Sequence, residues 1–249
     1  MKAMILIPTY NEATTVAELL YSLQSLRERK EFDFDVTVID DNSPDETASL
    51  VESLALDWVF LLKRAKKDGL GNAYRAGFAQ VLADNRYDQI VTMDADGSHR
   101  VADLPAMFAA ISPGKSIVLG TRWIAGGSVV NWPKSRQLLS KSGTKYASLA
   151  LGIKLADLTG GFRIYSRQLL DSLNLQDMNA TGYCFQIEMA LAAHLADAKA
   201  TEVPITFVER INGVSKMSRA IVIEALIQTT IWGLKRRLRP NADKLHYVK

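Results

Sequence analysis

A chain of 249 residues, 48% hydrophobic and 23% charged, suits one large α/β domain and is too apolar for disorder. Its formal charge of +3 makes no case for nucleic acid as a partner, and its one cysteine, Cys184, excludes an internal disulfide framework and fits a reducing compartment. The apolar run Met4–Ile7 stops at Pro8, too early for a signal peptide, and no stretch of about 18 apolar residues is present to span a bilayer.

Met4 to Ile7 predicts a buried strand, followed by a loop over Thr9–Glu12. Val16, Leu19, Leu20, Leu23 and Leu26 recur at helical spacing and predict a helix over about 14–29. A second strand, 35–39, ends in Asp40-Asp41-Asn42-Ser43-Pro44-Asp45, a dense turn and capping cluster. A helix over about 45–54 and a strand over 58–62 follow. The segment Lys63–Gly71 is basic and carries two glycines ahead of a helix over 72–82. A strand at 90–93, a helix near 104–110 and a strand at 116–120 complete the first half. Alternating strands and helices imply right-handed crossovers and a mainly parallel sheet. The pattern to about Arg122 is that of a nucleotide-binding fold, but no Gly-X-Gly-X-X-Gly follows the first strand.

The second half is less regular. A loop over Trp123–Pro133 leads to a helix over 134–151, then the segment Leu158–Ser166, a helix over 185–195 and a strand over 201–208. A polar loop, 209–218, precedes a last helix at about 219–237. That helix is heavily apolar (Ile221, Val222, Ile223, Leu226, Ile227, Ile231, Trp232) and ends in Lys235, Arg236 and Arg237. An in-plane membrane helix needs those features. Spacing alone favours a helix packed on the sheet, with a basic end that suits its dipole, because core helices are commoner than interfacial ones.

The chemistry concentrates where Ile90–Met93 gives way to Asp94-Ala95-Asp96-Gly97-Ser98-His99. Gly97 breaks the strand, so both acids fall at its C-terminal edge, where open α/β sheets bind ligands. Two carboxylates and the Ser98 hydroxyl suit a hard divalent cation that completes its shell with water and phosphate oxygens. Taken alone, each Asp also reads as a cap or turn residue. Glu12, Asp40 and Asp41 lie at other strand ends. A cleft this acidic repels phosphate unless a metal or basic residues offset it. Lys63, Arg122, Arg136, Arg163, Arg210 and Lys216 are the basic candidates. The charge pattern fits a metal-bridged sugar nucleotide or nucleoside triphosphate. His99, His194 and His246 show no zinc spacing, and neither Gly-X-Ser-X-Gly nor a P-loop is present.

Three stretches then match a known family in order: Ile7-Pro8-Thr9-Tyr10-Asn11-Glu12, Val38-Ile39-Asp40-Asp41-Asn42-Ser43-Pro44-Asp45, and Met93-Asp94-Ala95-Asp96-Gly97-Ser98-His99. Further matches are Gly120-Thr121-Arg122, Thr159-Gly160-Gly161-Phe162-Arg163, the run Gly182–Met189 and the run Arg210–Ser218. Together they make the chain resemble the inverting family 2 glycosyltransferases, in the branch of polyprenol- or dolichol-phosphate mannose synthases. The resemblance implies a GT-A fold over residues 1–218, followed by an amphipathic basic helix and tail over 219–249 with no transmembrane domain.

It also implies a GDP-mannose donor and a polyprenyl (dolichyl) phosphate acceptor. Pro8, Tyr10, Glu12, Ile39 and Asp41 would line the guanosine site, and Asp94, Ala95 and Asp96 would meet ribose, diphosphate and metal. Asp94, Asp96 and Ser98 would hold Mg²⁺ or Mn²⁺, although some relatives carry Gln where this chain has Ser98. Arg122, Arg136, Arg210 and Lys216 would bind the donor diphosphate and acceptor phosphate, and Asp96, Arg122, Arg210 and Lys216 would carry catalysis. A lipid acceptor favours interfacial contact for the last helix, at the cytoplasmic face of a membrane. A membrane-anchored partner protein is consistent with that. A UDP-glucose-dependent transferase, or a non-catalytic nucleotide- or lipid-binding protein of the same fold, are the other readings.

Overall fold

The computed structural model describes residues 1–182, 184–209, 219–238 and 240–249. The chain runs β1 (Lys2–Thr9), α1 (Val16–Glu28), β2 (Asp33–Asp40), α2 (Thr47–Ser53), β3 (Val59–Lys63), α3 (Leu70–Leu82), β4 (Gln89–Thr92), α4 (Leu104–Ala109) and β5 (Ser116–Thr121). It continues with β6 (Ser128–Val130), α5 (Lys134–Leu151), β7 (Arg163–Ser166), α6 (Arg167–Asp171), α7 (Cys184–Leu195), β8 (Lys199–Pro204), β9 (Thr206–Val208), α8 (Arg219–Leu238) and α9 (Pro240–Tyr247).

Seven strands form one sheet in the order β3-β2-β1-β4-β7-β5-β8. The side chains of β1 alternate between two cores, as a pleated strand requires. Ile5 and Ile7 join α1 and α4 through Leu20, Leu23 and Phe108, whereas Met4 and Leu6 join α3 and α7 through Phe78 and Met189. Both faces are therefore covered, which is why the central strands read as unbroken apolar runs.

β7 runs antiparallel to both of its neighbours, β4 and β5, while the other ladders of the sheet are parallel. The reversal matters for the site. β7 enters from the edge at which β1, β2, β4 and β5 end, so the segment 157–162 that precedes it lies at that same edge.

The strand expected over 201–208 is two strands in two sheets. Pro204 has no N–H to extend the ladder, and the chain turns so that β9 pairs in parallel with β6. β6, α6 and α9 had no sequence signal strong enough to predict them. The helix expected from 45 starts at Thr47, because Glu46 adopts φ 63°.

The C-terminal helices belong to the same core as the sheet. Trp232 of α8 and Tyr247 of α9 are buried in the cluster built on α3 and α7. A Cβ on Gly233 would come within 2.6 Å of the Ala150 carbonyl oxygen, so the bare glycine lets α8 close against α5. The opposite side of α8 leaves Ile223, Ile227 and Leu234 more than half exposed. The packed-helix reading therefore holds for the inner face, while the outer face leaves apolar side chains exposed. No helix among the described residues is long and apolar enough to cross a membrane.

Candidate functional site

Because β2, β1 and β4 are adjacent, their C-terminal loops meet at one edge. This brings Pro8, Tyr10 and Glu12 beside Ile39 and Asp41, and both groups beside Asp94, Ala95 and Asp96. The β1 and β2 loops are tied together: Thr9 Oγ1 donates to Asp40 at 3.0 Å, and the Glu12 N–H donates to Thr47 Oγ1 at 3.1 Å. Asp40 also accepts from the Ser43 N–H and hydroxyl at 2.9 and 2.6 Å, so it builds the loop. Asp45 accepts from the Ala13 N–H at 3.0 Å and from Thr47, bonds that outweigh burial and lower its pKa.

Asp41 is buried beside Asp40. Burial raises its pKa, against the opposing pull of Arg64 at 2.5 Å. Arg64 also bonds Asp68, holding the basic 63–71 segment over the site. Lys67 lies 3.8 Å above the Tyr10 ring. The Ile39 side chain is fully buried, and a Cβ on Gly77 would meet it at 2.6 Å. Ile39, expected to line the guanosine site, is thus packed behind it in the core rather than open to a ligand. Ala95 is buried too.

The acidic turn follows β4. Gly97 takes φ 76°, the left-handed conformation a side chain would strain, but it is not where the strand breaks: β4 ends at Thr92, ahead of both acids. The Ser98 N–H donates to Asp96 Oδ1 at 3.0 Å and closes the turn. His99 is buried between Phe162, stacked at 4.9 Å, and Phe207, and its Nδ1 accepts the Asp94 N–H at 3.0 Å. That ring holds the Asp94 backbone in place. His99 therefore acts on the backbone of the acidic turn, as a positioning residue.

Ser98 Oγ is buried and has no hydrogen-bond partner among the described residues. Two carboxylates beside an orphaned hydroxyl form an all-oxygen donor set that fits a hard divalent cation. No group of three or more His, Cys, Asp or Glu able to hold a metal exists among the described residues. A cation here would need water or ligand oxygens to complete its shell.

The neighbouring half of the edge has a different character. Arg122, at the end of β5, was expected as an open phosphate ligand. Instead its Nε and Nη2 donate to the fully buried Asp157 at 2.6 and 2.8 Å, and Nη2 also reaches Thr159 Oγ1 at 2.8 Å. Burial would raise the Asp157 pKa, but the Arg122 charge and hydrogen bonds win and lower it. Asp157 further accepts the Thr159 and Gly160 N–H groups at 3.1 Å, so this ion pair shapes the 157–161 loop. Arg163, another basic candidate, is wholly buried and donates to the carbonyls of Leu158, Gly160 and Gln186. Arg136 bonds Glu209 and stacks 4.2 Å from the Trp132 ring. Lys63 pairs with Glu52 at 2.7 Å, on the surface. Arg210 and Lys216 lie outside the described residues.

Two groups with no role assigned from the sequence converge beneath Asp94. Gln186 is buried with neither amide atom partnered among the described residues, and Gly161 lies within 4 Å of its Nε2, of Asp94 Oδ1 and of the His99 ring, counted from an added Cβ. The Tyr74 hydroxyl is likewise buried and unpartnered, its pKa pushed well up by burial and then by Asp94. Only proximity in the fold shows them; Gln186 and Tyr74 are separated from Asp94 by whole elements. Cys184 is buried, and burial raises its thiol pKa to about 11, as suits a packing residue.

Comparison with known proteins places this geometry in context. The family described as glycosyl transferase family 2 matches residues 4–173. The undecaprenyl-phosphate mannosyltransferase of Micrococcus luteus is 42% identical, over 95% of this chain and 96% of its own. The polyprenol monophosphomannose synthase of Mycolicibacterium smegmatis is 38% identical, over 95% of this chain and 89% of its own. Among solved structures, glucosyl-3-phosphoglycerate synthase from Mycobacterium tuberculosis with Mn²⁺, UDP and phosphoglyceric acid superposes with a TM-score of 0.67 at 17% identity, covering 96% of this chain and 78% of that one. Mannosyl-3-phosphoglycerate synthase from Rubrobacter xylanophilus gives 0.62 at 19%, covering 97% and 75%. At such identities these two structures bear on the fold alone.

Proposed function

The chain belongs to glycosyl transferase family 2, and we propose that it moves mannose from GDP-mannose to a polyprenyl monophosphate with inversion at the anomeric carbon. Its fold is GT-A. Mannosyl transfer to polyprenyl phosphate rests on the two relatives of that activity, each matched over nearly the whole chain. The donor and stereochemistry are our reading of the site. The observation that carries it is the acidic turn Asp94–Ser98 at the ligand edge, next to the loops of β1 and β2.

Pro8, Tyr10, Glu12 and Asp41 would line the guanosine, with Ile39 packed behind them. Asp94, Ala95 and Asp96 would meet the ribose and diphosphate, and Asp94, Asp96 and Ser98 would hold Mg²⁺ or Mn²⁺. When bound, such an ion would neutralise charge that builds on the departing diphosphate. The acceptor phosphate is already an anion near neutral pH and needs no strong base. One of its oxygens forms a bond to the anomeric carbon as the bond from that carbon to GDP breaks, leaving the product inverted. His99 fixes the Asp94 backbone for this. Arg136, paired with Glu209 here, would have to exchange that carboxylate for a phosphate to serve as a ligand. We assign Arg122 to positioning, because Asp157 already matches its charge and both shape the 157–161 loop. Arg210 and Lys216 remain proposed phosphate ligands. The exposed apolar face of α8 would rest on the cytoplasmic face of a membrane.

Incubation with labelled GDP-mannose or UDP-glucose and polyprenyl phosphate, followed by lipid extraction, tests the reading. Label should enter the lipid from GDP-mannose and cease with excess EDTA. Label entering from UDP-glucose instead would establish the glucosyl alternative, and no lipid product with either donor the non-catalytic one.

A further inference from the structure

A groove of about 640 Å³ runs between α5 and the segment 152–156, away from the acidic turn. Lys141, Lys145 and Lys154 line it together with Trp123, Thr144 and Leu149. None of these lysines is paired with a carboxylate among the described residues, and Lys141 Nζ lies 4.7 Å over the Trp123 ring. Two polar atoms of lining residues, Thr144 Oγ1 and Trp123 Nε1, are buried without a hydrogen-bond partner among the described residues. Buried polar groups are nearly always satisfied, so two orphans in one groove call for a ligand or for water that accompanies one. The mouth is apolar. Leu149 is 68% exposed, and Leu138, on the same stripe three turns earlier, is equally so.

We propose that this groove is a headgroup site for an anionic membrane phospholipid. The lysines would match the phosphodiester charge, Thr144 and Trp123 would donate to its oxygens, and Leu149 would lie against the first methylenes. Charge complementarity and the two orphaned donors single out an anionic phosphate, and continuity with the exposed leucines of α5 places it at a lipid surface. The groove adjoins the proposed transfer site, since Trp123 follows Arg122 and Thr144 continues the stripe of Arg136 and Ser140, but none of the residues proposed to bind nucleotide, cation or phosphate lines it. On α5 the side chains turned towards that site are Arg136, bonded to Glu209, and Ser140, beside Thr159. Lys141, Lys145 and Leu149 follow the neighbouring stripe. The inference rests on the reading that the chain works at a bilayer, and is independent of which nucleotide sugar it uses.

Co-sedimentation of the full chain with vesicles of phosphatidylcholine, with and without phosphatidylglycerol, tests it. The parent should bind the anionic vesicles. The triple variant Lys141→Gln, Lys145→Gln, Lys154→Gln should lose affinity on the order of a hundredfold, from the contribution of each lysine near an anionic surface. A charge-matched control, Lys30→Gln, Lys115→Gln, Lys199→Gln, should bind as the parent does. Thr144→Val keeps every charge and should still weaken binding severalfold. Equal losses in the two triple variants, or an indifferent Thr144→Val, would overturn the headgroup site while leaving the bilayer reading intact. A parent that binds neither vesicle removes both. Mannosyl transfer to a short-chain acceptor in detergent should be unchanged in the groove variants. A raised acceptor KM there would instead give the groove to the acceptor lipid and overturn the proposal.

Discussion

Around the loops of β2, β1 and β4, ionisable and polar groups are held at a disadvantage. Asp41 is buried enough that its pKa rises despite its pairing with Arg64, and the Ser98 hydroxyl is shut away from any partner among the described residues. Around β5 and β7 the charges answer one another. Asp157 is matched by Arg122, Arg163 by three carbonyls, and Arg136 by Glu209. A polar group left unsatisfied by folding gains most from a ligand that satisfies it. A group already paired contributes stability and shape. The two halves of one edge should therefore fail differently when mutated: the first in binding and turnover, the second in folding.

Asp96→Ala is the severest test of the first half. It removes a carboxylate proposed to hold both cation and diphosphate, and we expect kcat/KM to fall by at least about a thousandfold, the scale of losing one electrostatic anchor. The thermal midpoint should barely move. A large drop in midpoint would make Asp96 structural and erase the contrast, and near-normal turnover in excess EDTA would remove the metal.

Asp157→Ala should behave in the opposite way. It strands the Arg122 guanidinium in the interior and should cost about 3–5 kcal/mol of stability by denaturant titration. The pH dependence carries the same sign. With its folded pKa lowered by Arg122, Asp157 contributes stability in full above the ordinary carboxylate range near ~4, and that contribution is lost as pH falls through the lowered value. The parent should lose stability in that acid window, and Asp157→Asn should flatten the loss.

Asp41 titrates the other way. Burial raises its folded pKa, so the ligand-free chain is favoured by protonation, and that gain disappears as pH rises through the raised value. A nucleotide that uses the carboxylate should bind less well as pH falls through the same window. Asp41→Asn should weaken GDP binding by calorimetry by about ten- to a hundredfold, the worth of a hydrogen bond to a charged group, and should remove the pH dependence. An unchanged affinity would take Asp41 out of the guanosine site.

The first half was also the half legible in the sequence. Short apolar runs stopping at Pro8, Asp40 and Asp94 fix the strand ends, and a parallel sheet must gather such ends. The second half depends on facts that are not local. Nothing in Arg163–Ser166 says that this strand runs backwards, and its reversal is what brings Asp157 and Thr159 to Arg122. An Arg on its own reads as an open cation; that Arg122 is closed follows only from a partner 35 residues away. The same limit applies to α8, whose apolar residues serve two faces. Trp232 and Gly233 pack inward while Ile223 and Ile227 remain outside, and spacing could not apportion them. Cutting the chain after Ser218 would therefore take Trp232 and Tyr247 out of the core and report on folding before it reported on membranes.

Ser98→Ala gives the finest division between the halves. Its hydroxyl is buried, unbonded among the described residues, and beside the two carboxylates. Removing a buried hydroxyl that bonds nothing lifts a desolvation cost, so the ligand-free variant should be equally stable or up to ~1 kcal/mol more stable. If the hydroxyl is a cation ligand, that gain comes with a loss: Mn²⁺ binding, followed by its paramagnetic resonance signal with GDP present, should weaken severalfold because water can replace one neutral ligand but not at the same fixed position. Asp94 and Asp96 would still hold the ion, which keeps the effect the smallest of the series. A variant that is more stable and binds Mn²⁺ as the parent does would make Ser98 a packing defect, and would leave the cation to the two carboxylates.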